Sequence, residues 1–180
     1  MLVMELLDFF KTVLNLKNIS RQGWIDKLSI EHPESVADHS YSMALMAMVI
    51  SDLENYDSEK ILKMVLLHDL AESKIGDFTP GQMSKDEKEK IENNAFYEII
   101  EKLPISIKSK YEKVWKEYQS ETSPESQIVH QIDRLEMALQ AKMYEKSGSS
   151  KDNIATFLET AKSDIIHPKL KKILNQILQD

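Results

Sequence analysis

Apolar residues spaced three and four apart are the feature that most restricts how this chain can fold. Leu2, Val3, Leu6, Leu7, Phe10, Val13 and Leu14 form the first such stripe, and it predicts an amphipathic helix whose apolar face is either core or the seat of a second copy. No string of alternating β-branched residues between tight turns interrupts this rhythm further on. With four glycines, five prolines and many Leu, Ile, Met, Lys and Glu, the chain reads as all-α. At 180 residues with 42% hydrophobic content it should build one core, so a single domain over 1–180 is expected.

Lys17 to Pro33 loses the period, with Ser20, Gly23 and Pro33 as breakers, and is expected to be a long connection containing the word RQGW. Ser35 and Asp38 have the spacing of a capping box and should open a helix through YSMALMAMVISDL, with His39 in its first turns. Asn55 to Ser58 supplies a turn and cap. Glu59 to Glu72 then reads as one helix, apolar almost all round, in the middle of the domain. IGDFTPG breaks the pattern. Further helices are expected up to Pro104, over Ile105–Tyr118, from Glu125 to about Lys146 behind Pro124 at the first helical position, and over 153–163 and 168–178. Met43, Met46, Met48 and Met64 read as core filler.

The absence of cysteine removes disulfides, thiolate metal sites and a cysteine nucleophile together, so any metal must be held by nitrogen and oxygen. The opening MLVMELLDFF carries acids in place of a positive n-region, and the longest apolar run, Ala44 to Ile50, is too short to span a bilayer. A soluble, cytoplasmic protein with no membrane partner is expected. A net charge of −7 argues against nucleic acid as a partner, because tracking a polyanion takes many Lys and Arg. A small ligand bearing one phosphate remains open, since a bound cation offsets local charge.

LLHDLAESKIGD places ionisable groups inside a run that otherwise reads as buried helix. On one continuous helix His68 and Asp69 diverge by a single step and Glu72 projects between them, so three polar groups share a sector. The pair alone also fits a helix whose polar edge faces solvent. Other segments supply His39 and Asp133, the latter in QIDRLEMAL, and two imidazoles with two carboxylates would make a mixed nitrogen and oxygen site with positions open to water and substrate. Asp133 alone is more often a partner for a cation such as Arg134 or Lys142, and its candidacy depends on the others. His130 reads as a flanking or surface residue, and His32 and His167, each before proline, as loop and helix-entry residues.

His39, the doublet His68-Asp69 and then Asp133 reproduce the H…HD…D order of the HD-domain metal-dependent phosphohydrolases. RQGWI, PESVADHSYSMALMAMV, HDLAESKIGD and QIDRLEMALQA together resemble the HD domain-containing protein 2 family, which is similar to bacterial 5'-deoxynucleotidases. The likeness is strongest over about 21–144, with the helices of 150–180 packing on that core. It implies a helical HD fold in which His39, His68, Asp69 and Asp133 hold one divalent ion, Co2+ or Mn2+ first, with Mg2+, Fe2+, Ni2+ and Zn2+ as alternatives. The implied reaction is hydrolysis of deoxyribonucleoside 5'-monophosphates. By motif position Arg21 matches the arginine that orients the phosphate, Glu72 a catalytic acidic residue and Asp77 a residue that contacts the sugar. Where the bacterial enzymes place tryptophan directly after the arginine, this chain has Gln22, with Trp24 further on. Substrate contacts are expected from Arg21, Gln22, Trp24, Asp77, Phe78, Thr79 and Pro80.

Elementary chemistry is compatible with these roles. A divalent ion polarises a phosphoryl oxygen and acidifies its bound water, which removes the need for a serine or cysteine nucleophile. Arg21 offers a planar fork to phosphate oxygens, and Glu72 can hold the attacking water or pass a proton to the departing 5'-oxygen. Two alternatives stand beside this reading: an HD phosphohydrolase acting on triphosphates, cyclic nucleotides or alarmones, and a non-catalytic helical adaptor. Few Lys and Arg near the motifs favour a monophosphate, and a homodimer is the partner expected of the first helix.

Overall fold

Helix period in the sequence becomes helix in space along nearly the whole chain. The computed structural model describes residues 2–79 and 81–179. Its helices are α1 (Leu2–Asn15), α2 (Gln22–Leu28), α3 (Val36–Glu54), α4 (Ser58–Leu67), α5 (Glu72–Ile75), α6 (Lys85–Ile100), α7 (Ile105–Ser120), α8 (Pro124–Lys146), α9 (Lys151–Asp164) and α10 (Pro168–Gln179). A single turn of 3-10 helix, Leu16–Asn18, follows α1. No strand occurs among the described residues, and the one antiparallel bridge, between Ser20 and Ser35, ties the approach to α2 to the approach to α3. No helix of the described residues is long and apolar enough to cross a membrane.

The caps explain the starts. The Ser35 hydroxyl accepts from Asp38 N at 3.1 Å while the Asp38 carboxylate accepts from Ser35 N at 2.9 Å, which satisfies two N–H groups that a helix start leaves open. The same reciprocal bonding opens α6 through Ser84 and Glu87, and α8 through Ser123 and Ser126. Pro124 stands at the first helical position of α8, where a missing N–H costs nothing.

α8 is the pillar, packing on α3, α4, α7, α9 and α10. Its buried stripe of Ile128, Val129, Ile132, Leu135, Ala138 and Ala141 faces a core that includes Met43 and Ala47 of α3 and Ile61, Met64 and Val65 of α4. A second, smaller apolar cluster gathers Trp24, Met137, Ala141, Ile154 and Phe157, and it pins α2 between α8 and α9. In α3 the stripe Val36, His39, Met43, Ala47 and Ile50 is buried. An imidazole therefore stands in register with core side chains.

Four expectations change. The connection of 17–33 contains α2, held by Trp24 rather than by any period of its own. The helix expected to run from Glu59 to Glu72 ends at Leu67; residues 68–71 are turns, and α5 begins at Glu72. Met48 lies on the exposed side of α3, so it is not core filler. The predicted stripe of α1 is mostly uncovered: Leu6 turns inward together with Phe9, while Val3, Leu7, Phe10, Val13 and Leu14 remain exposed. The Leu2 side chain lies outside those described.

Candidate active site

The break after α4 creates the site. His68 Nδ1 donates to the Val65 carbonyl at 2.6 Å, and the Ser73 hydroxyl donates to the Leu70 carbonyl at 2.7 Å. Side chains thus take up helix carbonyls, and the chain tightens into three-residue bonds such as Leu70 N to Leu67 O and Glu72 N to Asp69 O. His68, Asp69 and Glu72 consequently share no continuous helix face; the turn, not a 100° step, sets their directions.

Three elements converge there. His39 comes from α3, His68 and Asp69 from the turn, and Asp133 from the middle of α8. His68 Nε2 lies 3.0 Å from Asp69 Oδ2, and His39 Nε2 lies 3.2 Å from Asp133 Oδ1 and 3.9 Å from Asp69 Oδ2. His39, His68 and Asp69 each bring one ligand atom to within 4.8 Å of the others. On both rings Nδ1 already has an oxygen partner, Glu136 at 2.6 Å for His39 and the Val65 carbonyl for His68. Both Nε2 atoms are buried without a hydrogen-bond partner. Two orphaned imidazole nitrogens beside two carboxylates suit a divalent cation with nitrogen and oxygen preference.

Arg21 reaches this cluster through Nη1, 3.2 Å from Asp69 Oδ2. Burial disfavours its charge, yet Asp69, Asp133, Asp77 and Glu72 together hold its pKa above the ordinary arginine value. Burial likewise works against the two carboxylates, but His68, Arg21 and His39 keep Asp69 far below the usual range, and His39, Arg134 and Arg21 do so for Asp133. Glu72 goes the other way. Burial, and then the Asp69 and Asp77 carboxylates, push it well above the usual range, and its Oε2 is buried without a partner. The site therefore drives its carboxylates in opposite directions, Asp69 and Asp133 down and Glu72 up.

Asp77 accepts from the backbone N of Gln22 at 2.7 Å, which joins the loop after α5 to the start of α2. The Gln22 side chain donates to Asp26 at 2.6 Å, and the Thr79 hydroxyl donates to the same Asp26 at 2.9 Å. Phe78 offers its carbonyl to Lys88 Nζ at 3.2 Å, and Pro80 lies outside the described residues. Trp24 was expected at the substrate. It is only 2% exposed, packs on Phe157 and Tyr144, and spends its one donor on Glu34 at 2.9 Å, so the structure gives it a packing role in place of a substrate contact. Asp133 does meet Arg134, at 3.2 Å, on the side away from His39. His130 stacks on Tyr118 and donates to its carbonyl, clear of the cluster.

Sequence reasoning passed over Glu136, Glu34, Lys88 and Glu92. Glu136 falls on the buried side of α8, three residues after Asp133, and an acid in that register was the available signal. Glu34 is held by Trp24 and lies near both His39 and Glu136. Lys88 and Glu92, 3.4 Å apart on α6, face the Phe78 loop and the Asp69 side of the site.

A family model described as HD domain matches residues 13–174. Among curated proteins, the 5'-deoxynucleotidase HDDC2 of Dictyostelium discoideum is 37% identical over 185 residues, covering 97% of this chain and 97% of that protein. The 5'-deoxynucleotidase HDDC2 of Homo sapiens is 34% identical over 174 residues, covering 96% and 84%. Among solved structures, the PH0347 protein from Pyrococcus horikoshii OT3 shares 36% identity at a TM-score of 0.77, covering 95% of this chain and 97% of that one.

Proposed function

The chain belongs to the HD-domain family, and from that membership and the geometry of the site we propose that it is a metal-dependent 5'-deoxynucleotidase, releasing phosphate from deoxyribonucleoside 5'-monophosphates. The observation that carries the proposal is the pair of buried, partnerless Nε2 atoms on His39 and His68 beside Asp69 and Asp133. These four side chains would hold one divalent ion, Co2+ or Mn2+ in first place. Such an ion supplies Lewis-acid polarisation of the phosphoryl oxygen and a water acidic enough to attack near neutral pH.

The chain's own residues supply the rest. Arg21, kept charged by the carboxylates around it, presents its guanidinium to the phosphate oxygens. Oxygen from water forms the new bond to phosphorus while the bond to the 5'-oxygen breaks, and that oxygen leaves with the bonding pair. Glu72, whose burial favours the protonated form, donates the proton that oxygen needs, and the proton given up by the attacking water restores the carboxylic acid. Asp77, fixed by Gln22 N, stands ready to accept from the sugar hydroxyl, and the loop of Phe78 and Thr79 that follows it is where we assign the sugar and base end. A cysteine-free chain suits the reducing cytoplasm, where we place it. The exposed stripe of α1 is the face we assign to a homodimer; sedimentation velocity at the single-chain mass of 20.8 kDa would refute that.

Protein stripped of metal and reloaded with Co2+ or Mn2+ is expected to release phosphate from deoxynucleoside monophosphates faster than from ribonucleotides. H68A and D69A should abolish turnover. Equal, metal-independent release by those variants would overturn the assignment.

A further inference from the structure

We propose that Glu136 is a positioning residue of this centre: its carboxylate fixes hydrogen on Nδ1 of His39 and thereby aims Nε2 at the ion. The inference rests on reading His39 as a ligand. His39 is fully buried and Glu136 is 4% exposed, so water cannot stand in for either partner. Glu136 Oε2 lies 2.6 Å from Nδ1. A carboxylate oxygen accepts and does not donate, so Nδ1 carries the hydrogen of that bond, and Nε2 is the ring nitrogen left to ligate once an ion takes the place of any proton there. Nε2 faces Asp133, at 3.2 Å.

His68 reaches the same tautomer by another route, through the Val65 carbonyl. A peptide carbonyl cannot be removed by substitution, whereas Glu136 can be, and that makes the proposal open to test. Glu34 accepts from the Trp24 indole through Oε1, and it is Glu136, not Glu34, that bonds the His39 ring. One helix thus contributes both sides of the arrangement: Asp133 faces the ion and Glu136, three residues on, faces the back of the imidazole. The rigidity of α8 holds His39 between them. Partners of this kind make a ligating imidazole more basic, and their loss typically lowers metal affinity or activity 10–100-fold.

The test is Co2+ binding by the full, metal-stripped chain, read from visible absorption and by competition with a chromophoric chelator. E136A is expected to bind Co2+ roughly 10–100-fold more weakly, with altered bands. E136Q retains an acceptor oxygen but loses the charge, so its affinity should fall several-fold, between wild type and E136A, with an unchanged KM for deoxynucleotide because Glu136 touches no substrate. Wild-type affinity and spectrum in E136A would overturn the proposal, and so would wild-type affinity in E136Q should E136A fail to fold. The two readings fail separately. A wild-type protein that shows this order of affinities yet releases no phosphate overturns the nucleotidase reading alone, whereas one that is active while E136A binds Co2+ normally overturns the role of Glu136 alone.

Discussion

Glu34 is a carboxylate held where charge is costly. Burial and the neighbouring Glu136 raise its pKa to about 7, against the lowering effects of the Trp24 hydrogen bond, His39 and Arg21. An acid whose folded pKa lies above its unfolded value of about 4.5 binds its proton more tightly when folded, so its contribution to stability is complete below pH 4.5 and is lost as pH rises through 7. Glutamine keeps an oxygen for the Trp24 indole and removes the charge. In the presence of chelator, E34Q should therefore match wild type near pH 4.5 and exceed it above pH 7 by about 1–3 kcal/mol in urea denaturation. An advantage that does not change with pH would contradict this cause. Such residues also mark where sequence reading stops. His68 and Asp69 drew notice because they interrupt an apolar run with groups that core does not tolerate unpartnered, and His39 and Asp133 joined them through the H…HD…D order of the family the chain resembles. The meaning of Glu34 and Glu136 lies in what they meet: 97 residues separate Glu136 from His39, so the buried register of Glu136 on α8 signals an acid in the core without saying which group it serves.

At the scale of elements, long periodic stretches with caps declared themselves, and short ones did not. Ser35, Ser84 and Ser123 mark helix starts that the structure repeats. QGWIDKL spans fewer than two turns and includes a glycine, too little for a period to register; what makes it a helix is Trp24 seated on Phe157, Tyr144 and Met137. The end of α4 was equally hidden, since LLHDLAES is compatible with helix throughout and only the capture of the Val65 carbonyl by His68 and of the Leu70 carbonyl by Ser73 stops it. W24A tests the anchoring of α2. Removing so large a buried side chain should cost about 3–5 kcal/mol and lower Tm by roughly 6–20 °C. Amide hydrogen exchange over 22–28 should accelerate more than in α3, because Trp24 is the buried residue of α2 and Leu28 joins it in the apolar cluster only partly buried. A Tm within about 2 °C of wild type would show that α2 is held otherwise.

For the whole molecule, the site gathers groups that the fold brings together at a cost. Asp69, Asp133 and Asp77 lie around Arg21, three carboxylates gathered out of water in a chain whose net charge is already −7. A divalent cation would engage those carboxylates and join α3, the turn after α4 and α8 through one centre, so binding energy becomes folding energy. At free metal about 100-fold above Kd, the folded state gains about 2.7 kcal/mol, which for a chain of this length raises Tm by about 5–10 °C. Adding Co2+ or Mn2+ to stripped protein should therefore shift the melt by that amount, EDTA should reverse the shift, and H68A should show little of it. A helical adaptor that merely used the ion for its fold would show the same shift, so phosphate release has to be followed on the same samples. The nucleotidase reading requires melting temperature and turnover to rise together over one metal titration, with a common midpoint. A melt that responds at metal concentrations far below those that restore turnover would mean that the ion holding these helices together is not the ion that activates the substrate.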